Sequence, residues 1–230
     1  MGGIKQIGNG SYQIQYFDNI KLLGGTVSTT FGPVSAYGEL TYRDGAPVLV
    51  DAVVNPATGA TMATPTRANI TQLNIGGFYN IGRTAIADQV QLLAEMSAVN
   101  ISGIKARKAV GADAFPAAYG FTESDNPTFQ TKNGLAISGT LVLGYPGIFE
   151  GWDLNVPISY QQQLSGRTLV GGVGGEGDKR YSVGATFTYK GNFSAGLSYN
   201  GYLGGASLDP RTNRLLTDRD YLSLTLKYAF

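Results

Sequence analysis

At the C-terminus Leu222, Leu224, Leu226, Tyr228 and Phe230 alternate with Ser223, Thr225, Lys227 and Ala229. One face of this segment is wholly apolar and the other small or polar. Side chains alternate across a strand with period 2, whereas a helix would scatter these apolar residues over every side. The same split recurs in Tyr181, Val183, Ala185, Phe187 and Tyr189 against Ser182, Gly184, Thr186 and Thr188, and in Trp152, Leu154, Val156, Ile158 and Tyr160 against Asp153, Asn155, Pro157 and Ser159. The pattern predicts an all-β chain that is apolar on one side only. Followed through the chain, it predicts ten strands, near residues 10–17, 20–31, 34–43, 70–80, 89–100, 133–145, 152–162, 179–189, 193–202 and 220–230. Most have about the 9 to 11 residues that a tilted strand needs to cross a bilayer.

The predicted connections alternate in length. Residues 32–33, 82–88, 146–151 and 190–192 make short turns, while 44–69, 101–132, 163–178 and 203–219 make long loops; only Asp18-Asn19 breaks the rule. Short turns on one side and long loops on the other characterise bacterial outer-membrane barrels, with the short turns periplasmic. Aromatic placement follows the same two ends. Phe31, Tyr79, Tyr145, Trp152, Tyr189 and Phe193, with Tyr228 and Phe230, fall at the short-turn ends of their strands, and Tyr16, Tyr42, Tyr160, Tyr181 and Tyr199 fall towards the other. Two such girdles suit the two interfaces between lipid and water, where an apolar ring with a polar tip is favoured. The expected fold is a transmembrane antiparallel up-and-down β-barrel of about ten strands. It occupies residues 1–230 as a single domain, with residues 1–9 as a periplasmic lead-in.

Composition narrows the chemistry. The chain has 33 Gly and 9 Pro, no Cys and no His, and 14% charged residues against the roughly 25% usual for soluble domains. Without His or Cys there is no disulfide, no thiolate or imidazole metal site, and no Ser-His-Asp or Cys-His nucleophile system. No cofactor and no enzymatic activity are expected. A net charge of +1 gives no support for nucleic-acid binding, which needs clustered cations to neutralise phosphates. No apolar run reaches the roughly 18 residues of a transmembrane helix, and Met1-Gly2-Gly3 does not begin a signal peptide. An outer-membrane location therefore expects the export signal to have been removed or replaced.

Charges inside the strands are informative, because near the bilayer midplane they would cost up to a few kcal/mol on the lipid side. Phase puts Glu39, Arg43, Glu95, Asp153, Arg180 and Lys227 on the polar faces of their strands, as lumen-lining residues among small neighbours such as Ser28, Ser138, Thr140, Ser182, Gly184, Gly196 and Ser198. Two roles remain open for them. They pair with each other across a filled barrel, or they line a channel.

Other motifs are weaker. Gly172-Val173-Gly174-Gly175-Glu176-Gly177 matches G-x-G-x-x-G, but Asp178, Lys179, Arg180 and a strand follow where a dinucleotide site needs a helix N-terminus. A flexible loop is the expectation. Asp209, Arg211, Arg214, Asp218, Arg219 and Asp220 form a mixed-charge loop that pairs locally, and Lys105, Arg107 and Lys108 a basic spot able to meet anionic lipopolysaccharide.

The segment Leu215-Leu216-Thr217-Asp218-Arg219-Asp220-Tyr221-Leu222-Ser223-Leu224, running to Tyr228-Ala229-Phe230, resembles the C-terminus of the DUF1302 family of Gram-negative outer-membrane proteins. Gly38-Glu39-Leu40-Thr41-Tyr42-Arg43 with Ala46-Pro47-Val48 is similar to a strand of that family and the loop after it. The resemblance covers most of this chain but only the C-terminal part of a typical member. It implies an outer-membrane barrel serving uptake or export of apolar compounds. The terminal Tyr228-x-Phe230 also resembles the signal read by the barrel-assembly machinery. The expected function is passive passage of small solutes, apolar ones included, in contact with outer-membrane lipid and lipopolysaccharide. A non-conducting structural or adhesion barrel and a soluble barrel carrying an apolar ligand are the alternatives.

Overall fold

The computed structural model describes residues 2–7, 11–167, 174–209 and 211–229. Their strands are β1 (Gly2–Ile7), β2 (Ser11–Tyr16), β3 (Lys21–Phe31), β4 (Val34–Asn55), β5 (Ala60–Gly82), β6 (Gln89–Ser102), β7 (Asn133–Phe149), β8 (Trp152–Ser165), β9 (Lys179–Tyr189), β10 (Phe193–Leu203) and β11 (Tyr221–Tyr228). The chain is all-β, and helical structure among the described residues is limited to the 3-10 turns Ala112–Ala114 and Ala117–Tyr119.

Strands β3 to β11 form one 9-stranded sheet in which every neighbour in sequence is an antiparallel neighbour in space. The sheet is not closed: β3 and β11 are its edges. The expected ten-stranded ring is therefore corrected in two respects. Residues 10–17 do not join the sheet; Ser11–Tyr16 pairs instead with Gly2–Ile7, and this hairpin packs against β4 and β5. Of the expected lead-in 1–9, Gly2–Ile7 is strand β1, and residues 1, 8 and 9 lie outside the described residues. Gly8-Asn9-Gly10 is of the composition that hairpin turns favour, a signal the alternation count passed over.

The second correction concerns residues 44–69, expected as a long loop. Strand β4 runs on to Asn55, turns through residues 56–59, and returns as β5 from Ala60, paired almost throughout. Pro47, Pro65 and Gly45 read as loop punctuation, but they sit in a hairpin that continues beyond the rest of the sheet. A β-bulge between Arg43 and Ala46, with Gly45 at φ 72, interrupts its register. The remaining long connections, 103–132, 166–178 and 204–220, all emerge at this end beside the 56–59 turn, and the turns 32–33, 83–88, 150–151 and 190–192 lie at the other.

Burial is concentrated in the hairpin. Ala46, Val48, Ala68, Ile70, Val99 and Ile101 form one buried cluster with Ile104 packed on it, and Ala52, Ala109 and Ala112 form another with Phe121. Loop 103–132 folds over the hairpin as a cap. Asp51 N–H donates to Asn126 O at 3.0 Å and Thr128 N–H to Leu49 O at 2.9 Å, while Thr66 Oγ1 donates to Lys105 O at 2.8 Å. The Asp51 carboxylate accepts from Ser124 Oγ at 2.9 Å and Asn126 Nδ2 at 2.8 Å. The rest of the sheet is a wall with apolar side chains in the open: Leu23 is 73% exposed, Val27 69%, Leu197 54% and Leu224 70%.

Candidate functional site

Directly opposed residues share a face, so the register decides which side chains meet. One such row runs Ser28, Tyr37, Gly76, Glu95, Ser138, Gln161, Arg180, Tyr202 from β3 to β10. Another runs Asp153, Thr188, Ser194, Lys227 from β8 to β11. With the alternation inside each strand, these rows put Glu39, Arg43, Glu95, Asp153, Arg180 and Lys227 on one face, here termed inner. Ser138, Thr140, Ser182, Gly184, Gly196 and Ser198 share it. Phe31, Tyr79, Tyr145, Trp152, Tyr189 and Phe193 all occupy the opposite, outer face.

No ion pair joins two of those six charged residues among the described residues. Each has its own surroundings. Glu95 accepts a short hydrogen bond from the Tyr37 hydroxyl, whose ring lies over Gly76. Asp153 accepts the Gly147 N–H at 2.8 Å and so ties the β7–β8 turn. Arg180 pairs with Asp178 at 2.8 Å and lies over the Tyr202 ring at 5.3 Å. Asp178 is 8% exposed and was not singled out by the strand pattern, because it precedes the first paired residue of β9. Arg43 has a buried Nη1 without a hydrogen-bond partner, and Lys227 stands on the exposed edge strand.

Between these charges the inner face is small and hydroxyl-rich. Thr140 and Ser159 hydroxyls lie 2.9 Å apart, and Ser97 Oγ donates to Asn74 Oδ1 at 2.8 Å. A hollow of about 370 Å³ opens on this face among Ser138, Ser159, Gln161, Arg180, Asn200 and Tyr202. Donors and acceptors line it without a nucleophile–base pair, and no group of acidic side chains suited to a metal occurs among the described residues. Its chemistry is that of a surface that solvates polar groups.

On the outer face Trp152 gathers the short-turn aromatics, with ring centroids 5.0 Å from Tyr189, 6.2 Å from Phe193 and 6.5 Å from Phe187. Tyr145 OH donates to Ile86 O at 2.9 Å; Phe31, on edge strand β3, is 70% exposed. Nearer the loop end Tyr181 and Tyr199 lie 6.0 Å apart. Tyr228 ends β11, and Phe230 lies outside the described residues.

The other charge clusters serve the loops. Arg211 pairs with Glu176 at 2.9 Å, and the backbones of 175–176 and 211–213 bond each other, so loops 166–178 and 204–220 form one unit. The Gly166 N–H and then the Arg211 guanidinium hold the Glu176 carboxyl below its usual range. The glycine-rich match lies partly outside the described residues, at 172–173, and the rest of it belongs to this loop contact. In the basic spot, which lies in the cap, Arg107 donates to Pro65 O of the hairpin at 2.8 Å and Lys108 lies 3.8 Å from Asp113 within the cap.

No curated protein and no solved structure matches the chain. One family model does match, over residues 4–230, and is described as a protein of unknown function; on that match the chain belongs to the DUF1302 family.

Proposed function

We propose that the nine-stranded sheet is the wall of a transmembrane β-barrel in a bacterial outer membrane, and that small solutes pass along its inner face without energy input. The observation that carries this reading is the one-sidedness of the wall. In the wall below the bulge Glu39, Arg43, Glu95, Asp153, Arg180 and Lys227 share one face, the six short-turn aromatics occupy the other, and leucines such as Leu222, Leu224 and Leu226 are 64–70% exposed. In water such a face would drive association; in hydrocarbon it is the stable arrangement. Lipid and lipopolysaccharide are then the neighbours of the outer face, and the short turns are periplasmic. The reading assigns the protein no catalysis and no cofactor.

The test is solubility and heat modification. The assembled protein is expected to need detergent and to migrate on a gel as a compact species that shifts only on boiling. A monomeric, folded protein in plain buffer would remove the membrane reading.

The terminal Tyr228-x-Phe230 is proposed as the signal for the barrel-assembly machinery. Deleting Phe230 is expected to lower outer-membrane levels severalfold while leaving the unfolding of already inserted protein unchanged, as measured by fractionation and by gel shift. Equal levels of both forms would show that the terminus is not read.

A second reading, a non-conducting barrel that presents its loops, draws support from the cap. Loop 103–132 is tied by backbone and side-chain bonds to the β4–β5 hairpin, as a binding surface would need to be. Single-channel currents in planar bilayers separate the two.

A further inference from the structure

The sheet has two bare edges, and their directions are the same. Strand β3 runs from the loop end to the short turn at residues 32–33, and β11 likewise leaves loop 204–220 and runs to the short-turn end. Strict up-and-down order with 9 strands makes this unavoidable, because the first and last of an odd number point alike. Every residue of β3 is exposed, and nearly every residue of β11. Half of the backbone N–H and C=O groups along each edge have no ladder partner, and hydrocarbon offers none.

Three occupants can be compared. Direct closure of β3 on β11 would create a single parallel seam in a sheet whose other pairs are all antiparallel. A second copy does no better: copies inserted in one membrane share one orientation, so β3 or β11 of one runs parallel to β3 or β11 of the other. Strands that run the opposite way, from the short-turn end to the loop end, fit both edges antiparallel. An odd number of additional strands is required to do so, and it brings the total to the even count of bacterial barrels.

We infer that β3 and β11 are pairing surfaces for a segment of an odd number of antiparallel transmembrane strands, which completes the ring and carries the same apolar-out, polar-in alternation. This rests on the membrane reading above. The occupant is neither the opposite edge nor a second copy of these strands.

Because the chain has no Cys, single cysteines report one position each. Thr29→Cys in β3 and, separately, Leu224→Cys in β11 would be introduced in the protein as its own cells make it. Each would be labelled in isolated membranes with a maleimide-benzophenone, irradiated, and mapped by mass spectrometry. From both sites the expected cross-links reach peptides outside residues 2–229, and a link to the two-stranded hairpin of Gly2–Ile7 and Ser11–Tyr16, an even number of strands, would overturn the inference as well. A link between β3 and β11 of one chain, a link between two copies, or no link to any peptide in protein that is inserted and heat-modifiable would each overturn the inference. Protein recovered in the soluble fraction would instead sink the membrane reading, and the gel shift run on the same samples tells these failures apart.

Discussion

Val50→Asp is expected to release the cap from the hairpin while the wall below Gly45 stays folded. Val50 has no exposed surface, lies opposite Thr64, and forms a bridge with Pro127 of the cap. Its neighbours in register on the inner side of the hairpin, Val48, Ala52 and Thr66, are buried and uncharged. Burying an unpaired charge costs about 3 kcal/mol or more. By the tenfold rule of 1.4 kcal/mol, local opening of loop 103–132 should rise by roughly a hundredfold. Limited proteolysis of that loop measures it, with Val50→Ala as the milder control. Equal cleavage of Val50→Asp and the unaltered protein would show that this face does not hold the cap.

A second large effect is expected from replacing Arg43, Arg180 and Lys227 together by Gln. None of these pairs with Glu39, Glu95 or Asp153, so replacing the bases breaks no ion pair with the three acids and leaves them on this face. Arg180 does pair with Asp178, and its removal frees a fourth acid on the same side of the sheet. Like charges confined in a narrow path concentrate their counterions, on the order of tenfold. Reversal potentials in planar bilayers should therefore move towards cation selectivity. Currents whose reversal potential does not move would mean that solutes do not pass along the face bearing these residues; an absence of current in both folded forms would favour the loop-presenting barrel.

Much of the wall could be read from the sequence, because period-two alternation is a local property and the register preserves it from strand to strand. Trp152 through Tyr160 and Tyr181 through Tyr189 occupy the strands and the faces their pattern implied. The upper hairpin could not be read in this way. Its apolar residues, Ala46, Val48, Val50 and Ala52, continue the even-numbered phase of Val34, Ala36, Leu40 and Tyr42, yet they lie on the opposite face. One extra residue at the bulge rotates them there, and only the partner strand reveals that it is extra. The pairing of Ser11–Tyr16 was likewise invisible, since alternation says that a segment is a strand but not which strand it joins. Asp178 was missed for a different reason: it sits just before β9, outside the alternating run, although its i, i+2 spacing puts it beside Arg180.

The bulge at Gly45 also carries a consequence for depth. Below it, β4 turns Leu40 and Tyr42 outward; above it, the greasy residues face the cap, and the outward row becomes Pro47, Leu49, Asp51 and Val53, opposed by Arg67, Pro65, Ala63 and Thr61. A surface holding both a carboxylate and a guanidinium does not need oil against it. On the membrane reading, Gly45 then marks the waterline of this strand, and what stands above it is a small water-exposed lobe grown from the wall without a change of chain.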